Sequence, residues 1–223
     1  MNTDHIEGAV VREKGLTGRI TLGMGCFWSP EALFGAMPGV LCTQTGYAGG
    51  TADHPTYREM GDHTECIQLE FDTEVITFEE LAAIFWERHQ PVNINGYKGR
   101  QYQSLLIYET DSQREAIDRV LQNRERSGLG RPETDIVPYS IFYAAEERHQ
   151  KYYLKRYPQA VEALTSLYPS HNSQLNSSTI AARLNGLAKG FTNMERIKHE
   201  VEAWGIGDGA RSRLLETITS IRW

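Results

Sequence analysis

The chain has 223 residues and a formal charge of −6 at pH 7, with 29 acidic side chains against 23 Lys and Arg. This length can bury a sizeable core and favours one domain, or one domain with an appendage. The acidic balance and the scattered cations argue against nucleic acid and anionic membrane surfaces as partners. No apolar run approaches a membrane span and no export signal is evident, so we expect a cytoplasmic protein. We also expect a monomer.

The chain has three cysteines, Cys26, Cys42 and Cys66, and they show no C-x-x-C spacing. An odd number of cysteines without this spacing fits reduced thiols better than a disulfide framework or a zinc site. His63 near Cys66 supplies too few ligands for a metal. We therefore expect no metal and no organic cofactor.

The first half of the chain alternates strand and helix patterns after a polar start. A β-rich run at residues 19–24 is followed by a helix, with Ser29 predicted as its N-cap and Pro30 as its first residue. Residues 40–47 predict a strand that ends in a glycine-rich turn, and 65–71 predict another from their alternating apolar side chains.

The pattern continues through residue 157. Capping boxes that begin at Thr77 and Ser112 predict helices to about residues 89 and 126. Residues 105–108 and 136–143 fit strands, and 145–157 fit a further helix. Mixed strands and crossover helices of this kind predict an α+β sandwich.

The C-terminal part has a different pattern. Residues 169–178 are polar and poor in core-forming side chains, so we expect a linker between a domain at 1–168 and a C-terminal helical extension at 179–223. In the extension, apolar residues recur at helical spacing behind a capping box at Thr192. Such a stripe is usually core. We expect these helices to pack on the domain or on each other, with a partner-binding face as the less favoured alternative.

Cys26 lies between the first predicted strand and the first predicted helix. The partial positive charge of a helix N-terminus stabilises a thiolate, which is the nucleophilic form of cysteine. Phe27 and Trp28 follow and offer a wall for a small apolar group. The alternative is a cysteine that only fills the core at the end of a strand. The position before a helix and the aromatic pair favour the nucleophile.

Glu65 is the candidate general acid. Strand alternation places it on the same face as the apolar residues Ile67, Leu69 and Phe71. A carboxyl group on such a face loses water, so its pKa rises and it can stay protonated near neutral pH. The alternative is a glutamate in solvent or in a salt bridge with an arginine.

Short motifs follow one another along the chain: Gly25-Cys-Phe-Trp28, Gly46-Tyr-Ala-Gly-Gly50, Pro55-Thr-Tyr-Arg-Glu59, His63-Thr-Glu65, Gln101-Tyr-Gln-Ser104 and Phe142-Tyr-Ala-Ala-Glu146. In this order they resemble the motif set of the A-type peptide methionine sulfoxide reductases (methionine-S-sulfoxide reductases). The resemblance covers residues 17–157. It implies a ferredoxin-like core and makes residues 1–168 the catalytic domain.

The resemblance implies thiol-dependent reduction of methionine S-sulfoxide, free or in proteins. The thiolate of Cys26 would attack sulfur, Glu65 would protonate oxygen, and a sulfenic acid would form on the cysteine. Thioredoxin, glutaredoxin or a small thiol would then supply the electrons.

The family also implies roles for the aromatic residues. Tyr57 and Tyr102 match tyrosines that donate hydrogen bonds to the sulfoxide oxygen, whereas Phe27 and Trp28 match residues that hold the S-methyl group. His149 is expected to be a surface or structural histidine.

The chain departs from the family pattern at three places. Ser29 replaces a glycine, Tyr97 stands near the position of an aspartate, and no cysteine follows Cys66. The alternatives therefore include a reductase of another small sulfoxide and a methionine-sulfoxide-binding module without turnover. A cysteine hydrolase is more distant, since no His with Asn or Asp forms a recognisable motif with Cys26.

Overall fold

The computed structural model describes residues 17–91, 99–167 and 172–223. Within these ranges, six strands form one sheet in the order β5-β4-β1-β3-β2-β6. Neighbouring strands are antiparallel, except that β4 and β5 are parallel. The strands are β1 (Thr17–Met24), β2 (Val40–Ala48), β3 (Thr64–Asp72), β4 (Ser104–Tyr108), β5 (Asp135–Pro138) and β6 (Phe142–Ala144).

Helices cover the sheet and continue beyond it. The α-helices are α1 (Trp28–Gly35), α2 (Phe78–Glu87), α3 (Asp111–Arg126), α4 (Pro158–Thr165), α5 (Asn172–Ser177), α6 (Thr179–Lys189), α7 (Met194–Glu202) and α8 (Asp208–Ser220). Short 3-10 helices lie at Arg100–Tyr102, Glu147–His149 and Leu154–Arg156. Over the ranges that the structure describes, no helix combines the length and the apolar character of a membrane span.

The main core lies between one face of the sheet and helices α1, α2 and α3. Ile67, Leu69 and Phe71 of β3 are buried there against Phe34 of α1 and Phe85 of α2. The opposite face of the sheet carries a smaller apolar cluster that includes Cys66. The expected α+β class is confirmed.

The first helix follows β1 as predicted, but its cap differs. Phe27 occupies the N-cap position without a side-chain cap, and Pro30 is the third residue of α1 rather than the first. Proline is tolerated throughout the first helical turn because the N–H groups there have no partner within the helix. Ser29 therefore lies inside the helix.

The later capping predictions have mixed outcomes. The Thr77 box is confirmed, with reciprocal bonds between Thr77 and Glu80. The Ser112 box is wrong, because Thr110 has the extended backbone of an N-cap and accepts the Gln113 N–H. Likewise Asn193 rather than Thr192 caps α7.

Two predicted elements between residues 136 and 157 are wrong. The single strand is divided into β5 and β6, which pair with β4 and β2 at opposite edges of the sheet. The predicted helix at 145–157 is replaced by two 3-10 helices. Lys151 lies between them with a φ of 51°, a value that an α-helix does not allow.

The C-terminal helices pack on one another and on the first helix, as expected. Ile197, Leu214 and Ile218 belong to an apolar cluster that is separate from the sheet core. Helix α6 also packs against α1. Within residues 169–178, where we expect a linker, the chain forms α5.

Candidate functional site

Cys26 lies between the end of β1 and the start of α1. Gly25 has a φ of 87°, which lets the chain turn sharply after the strand. Cys26 is half-buried, and its sulfur interacts with the backbone N–H of Trp28 in the first turn of α1. The predicted position before a helix N-terminus is therefore confirmed.

The electrostatics of Cys26 differ from the sequence expectation. Burial raises the pKa of the Cys26 thiol; the Trp28 N–H lowers it, and nearby Glu65 raises it further. The net direction is upward, because loss of water outweighs the single hydrogen bond. Without substrate, the thiol form therefore predominates at neutral pH, whereas the helix N-terminus alone predicts a thiolate.

Glu65 is buried on β3 with its carboxyl group beside the Cys26 turn. Its exposed fraction is 1%. One oxygen accepts the Phe27 N–H at 3.2 Å and the other accepts Gln101 Nε2 at 2.8 Å. Burial raises the pKa of Glu65 against the lowering effect of these two hydrogen bonds. The carboxyl group is thus held in place and biased toward its protonated form, as its apolar strand face predicts.

Two phenols lie at the same place. Tyr102 belongs to the 3-10 helix that follows residue 99, and its hydroxyl shares a hydrogen bond with Tyr57 from the loop between β2 and β3. Burial raises the pKa of Tyr102, and the charges of Glu65, Tyr57 and Cys26 raise it further. The Tyr102 hydroxyl therefore stays protonated at neutral pH and can donate a hydrogen bond.

Aromatic rings line the other side of the site. Phe27 is buried and lies 6.4 Å from the Trp28 ring, measured between ring centroids. Trp28 stacks on Tyr152 at 3.8 Å with an interplanar angle of 5°. His149 lies 5.4 Å from Phe27 and 4.7 Å from Tyr57. These rings form an apolar wall next to Cys26.

His149 is a part of the site that sequence reasoning underestimated. Its exposed fraction is only 4%, and its Nδ1 accepts the indole N–H of Trp28 at 3.3 Å. Burial lowers the pKa of His149 against the opposing charge of Glu146. The imidazole is therefore neutral and has an acceptor nitrogen for Trp28. Sequence spacing gives no signal for a contact across more than a hundred residues.

Glu146 and Gln101 belong to two of the shared motifs but have no role predicted from the sequence. Glu146 accepts the Tyr47 hydroxyl at 2.7 Å and the backbone N–H of Tyr57 at 3.1 Å. Gln101 donates to Glu65. Both polar side chains orient residues of the site, and their place in the shared motifs is the signal that could have identified them.

Cys42 and Cys66 lie away from Cys26. Cys66 is fully buried on the opposite face of the sheet from Glu65, and burial raises the pKa of its thiol. Cys42 pairs with Glu70, whereas Tyr47 pairs with Glu65, so Cys42 lies five residues along the strand from the site. At about 3.3 Å per residue, this separation is roughly 16 Å.

The His63 ring forms hydrogen bonds with the backbone of the loop after β2. Its Nδ1 accepts the Gly50 N–H at 3.1 Å, and its Nε2 lies 2.8 Å from the Ala52 carbonyl oxygen. Among the residues with described positions, no three His, Cys, Asp or Glu side chains are grouped to hold a metal ion. Tyr97 lies outside the described residues.

A thiol beside a protonatable carboxyl group and two phenol donors, next to an apolar wall, is the arrangement of a cysteine-dependent enzyme. The model of the family "Peptide methionine sulfoxide reductase" matches residues 18–179. The peptide methionine sulfoxide reductase of Drosophila melanogaster is 42% identical over 187 residues, which cover 83% of this chain and 74% of the relative. The chain therefore belongs to the peptide methionine sulfoxide reductase family.

Solved structures agree with this assignment. Methionine sulfoxide reductase A of Corynebacterium diphtheriae superposes with a TM-score of 0.56 at 32% identity, over 70% of this chain and 82% of that chain. The reduced form of Mxr1 from Saccharomyces cerevisiae gives a TM-score of 0.58 at 28% identity, over 66% of this chain and 89% of that chain.

The effect of Glu65 on Cys26 can be measured without a substrate. Because the charge of Glu65 raises the pKa of Cys26, Glu65→Gln should move the rising limb of Cys26 alkylation by iodoacetamide to lower pH. The rate is read from the mass of the Cys26 peptide. Glu70→Gln, an exposed change on the same strand, should leave the profile unchanged. An unchanged or upward-shifted limb in Glu65→Gln would contradict the electrostatic coupling.

Proposed function

We propose that this chain reduces methionine S-sulfoxide, free or in proteins, at Cys26. The observation that carries the proposal is the position of the Glu65 carboxyl group, fixed by the Phe27 N–H and Gln101 beside the thiol. Reduction of a sulfoxide needs a nucleophile for sulfur and a proton for oxygen. The site holds one group of each kind beside a wall of aromatic rings.

The reaction is a transfer of oxygen from one sulfur to another. Cys26 attacks the sulfoxide sulfur while Glu65 protonates the oxygen, and the S–O bond of the substrate breaks. The oxygen ends on Cys26 as a sulfenic acid and methionine leaves. The methionine sulfur gains the two electrons that the cysteine sulfur loses, and the thiol proton returns Glu65 to its acid form.

The surrounding side chains bind the substrate. Tyr57 and Tyr102 donate hydrogen bonds to the sulfoxide oxygen, where negative charge is greatest. Phe27 and Trp28 pack against the S-methyl group. With oxygen and methyl bound on different sides of the site, only one configuration at sulfur directs its free face toward Cys26, so the site should discriminate between the two epimers.

We also propose the finer structural assignments. The order β1-α1-β2-β3-α2-β4 with the inner strand order β4-β1-β3-β2 supports a ferredoxin-like core. We keep the division into a catalytic domain at residues 1–168, a linker at 169–178 and an extension at 179–223 as a proposal; the family match over residues 18–179 supports the catalytic domain, although it extends past residue 168. Three free cysteines suit a reducing compartment such as the cytoplasm.

Replacing the nucleophile tests the proposed activity directly. Cys26→Ser should abolish release of methionine from peptide methionine S-sulfoxide with dithiothreitol, because a hydroxyl is a poor nucleophile at neutral pH. Cys42→Ser and Cys66→Ser serve as controls and should complete the first turnover. The R epimer should be inert. Substantial activity in Cys26→Ser would contradict the assignment of Cys26 as the nucleophile. If the wild-type protein binds the sulfoxide peptide but releases no methionine, the result would favour a binding module.

Glu65→Gln should slow the single-turnover rate by about a hundredfold, as expected when acid catalysis is lost. The amide keeps the shape of the side chain but delivers no proton. Rapid-quench measurements across pH would show whether the falling limb attributed to Glu65 ionisation disappears. Because the same variant should make Cys26 more reactive toward iodoacetamide, slow turnover with a faster thiol isolates the proton-transfer role. A wild-type rate and pH profile would exclude Glu65 as the acid.

We propose that an external thiol reduces the sulfenic acid directly. A disulfide needs Cα atoms within about 7 Å of each other, and neither other cysteine faces Cys26 from its strand. Thioredoxin, glutaredoxin with a small thiol, or a small thiol alone would therefore meet Cys26 at the exposed part of the site.

This recycling route predicts how many thiols one turnover consumes. Reduced enzyme treated with one equivalent of substrate and then alkylated should show oxidised Cys26, with Cys42 and Cys66 alkylated after denaturation. Peptide masses give the answer, and Cys42→Ser should behave like the wild type. Loss of two thiols per methionine, with a cross-linked peptide that contains Cys26, would instead demonstrate an internal disulfide.

A further inference from the structure

The C-terminal helices contact the helix on which the proposed site depends. The family match ends at residue 179, which is the first residue of α6. Helices α6, α7 and α8 thus lie almost wholly beyond the matched region. Yet α6 packs on α1, the helix whose first turn meets Cys26.

Small residues let the backbones of α1 and α6 approach closely. A Cβ atom built on Gly186 would lie 2.6 Å from Ala36 Cβ and 2.9 Å from the carbonyl oxygen of Ala32. A Cβ atom on Gly35 would lie 2.9 Å from the carbonyl oxygen of Ala182. These distances are too short for real contacts, so the interface has no room for one more methyl group. A group added at this contact must therefore push α1 and α6 apart.

Arg183 of α6 binds the C-terminal end of α1. Its exposed fraction is 1%, and its Nη1 donates to the Gly35 carbonyl oxygen at 2.7 Å. Its Nε and Nη2 donate to the two carboxylate oxygens of Glu200 on α7, each at 2.7 Å. A cation at this end also complements the negative pole of the helix. The guanidinium thus joins α1, α6 and α7.

Asn185 of α6 reaches the first turn of α1. It is fully buried, and its Nδ2 lies 3.4 Å from Oε2 of Glu31. Its Oδ1 accepts the backbone N–H groups of Tyr153 and Leu154, each at 3.0 Å. The extension therefore contacts both the first and the last turn of α1.

We propose that Arg183 and Asn185 are positioning residues for the reductase reaction, and that α6 fixes α1 so that its first turn meets Cys26 correctly. The inference rests on the proposed role of Cys26. It makes residues 179–223 part of the working enzyme rather than an independent appendage.

A substitution that adds one methyl group between α1 and α6 tests this inference. In the full-length chain, Gly186→Ala adds a Cβ atom against Ala32 and Ala36, whereas Gly209→Ala in α8 meets nothing within 4 Å. Both changes raise helix propensity. A shifted α1 weakens the Trp28 N–H interaction that lowers the pKa of Cys26. Alkylation of Cys26 at neutral pH should therefore slow by about threefold, a shift of about half a pKa unit.

Gly209→Ala should keep the wild-type alkylation profile. Likewise, the single-turnover rate should fall in Gly186→Ala and stay at the wild-type value in Gly209→Ala.

A second variant, Arg183→Lys, keeps the buried cation but cannot reach Gly35 and both Glu200 oxygens together. It should also slow Cys26 alkylation, whereas Arg213→Lys on the exposed face of α8 should not. Circular-dichroism melts identify the folded variants.

Wild-type Cys26 rates and pH profiles in folded Gly186→Ala and Arg183→Lys would overturn the inference. If Gly186→Ala fails to fold, the Arg183→Lys result decides alone. Alkylation needs no sulfoxide, so this outcome is separate from the fate of the proposed function, which fails if the wild-type enzyme releases no methionine.

Discussion

A single buried carboxylate, Glu31, joins the elements on which the candidate site is built. Its side chain is fully buried and accepts the backbone N–H of Lys151 at 2.9 Å and the Lys151 ammonium at 2.8 Å. The same ammonium donates to the carbonyl oxygen of Thr43 on β2 at 2.6 Å. A buried charge is tolerated only when it is paired and hydrogen-bonded, so removing one partner is far more costly than removing both. This constraint fixes α1, β2 and the segment after β6 relative to one another.

Loss of water is the common cause of the electrostatic state of the candidate site. Burial raises the pKa of both Cys26 and Glu65 and lowers that of His149. Each shift favours the neutral form. A site of neutral groups suits a neutral, dipolar substrate such as a sulfoxide, because charge then develops only as sulfur is attacked and oxygen is protonated. Donors that are already held in place, the role proposed for Tyr57 and Tyr102, are most effective at that moment.

Local patterns predicted the first four strands and the helices α2, α3, α7 and α8 well, because alternation and helical spacing act over a few residues. The capping residues were predicted less well, since of the three predicted capping boxes only the one at Thr77 forms. The region at 136–157 was predicted poorly for an equally physical reason. Its strands are separated by their pairing with β2 and β4, and the backbone at Lys151 is set by a salt bridge to a helix 120 residues away. Neither interaction is visible in a short window.

The sequence by itself determined the position of Cys26 before a helix and the apolar strand face of Glu65, because both follow from the order of neighbouring residues. Only the tertiary structure decided the rest of the site. Burial raises the pKa of Cys26 more than the hydrogen bond from the helix N-terminus lowers it, and the extent of burial depends on the residues that pack around the turn. Trp28 contacts His149, and Arg183 donates a hydrogen bond to the last turn of α1. Both contacts join residues that are far apart in the chain. Desolvation and long-range hydrogen bonds exist only once the chain has folded.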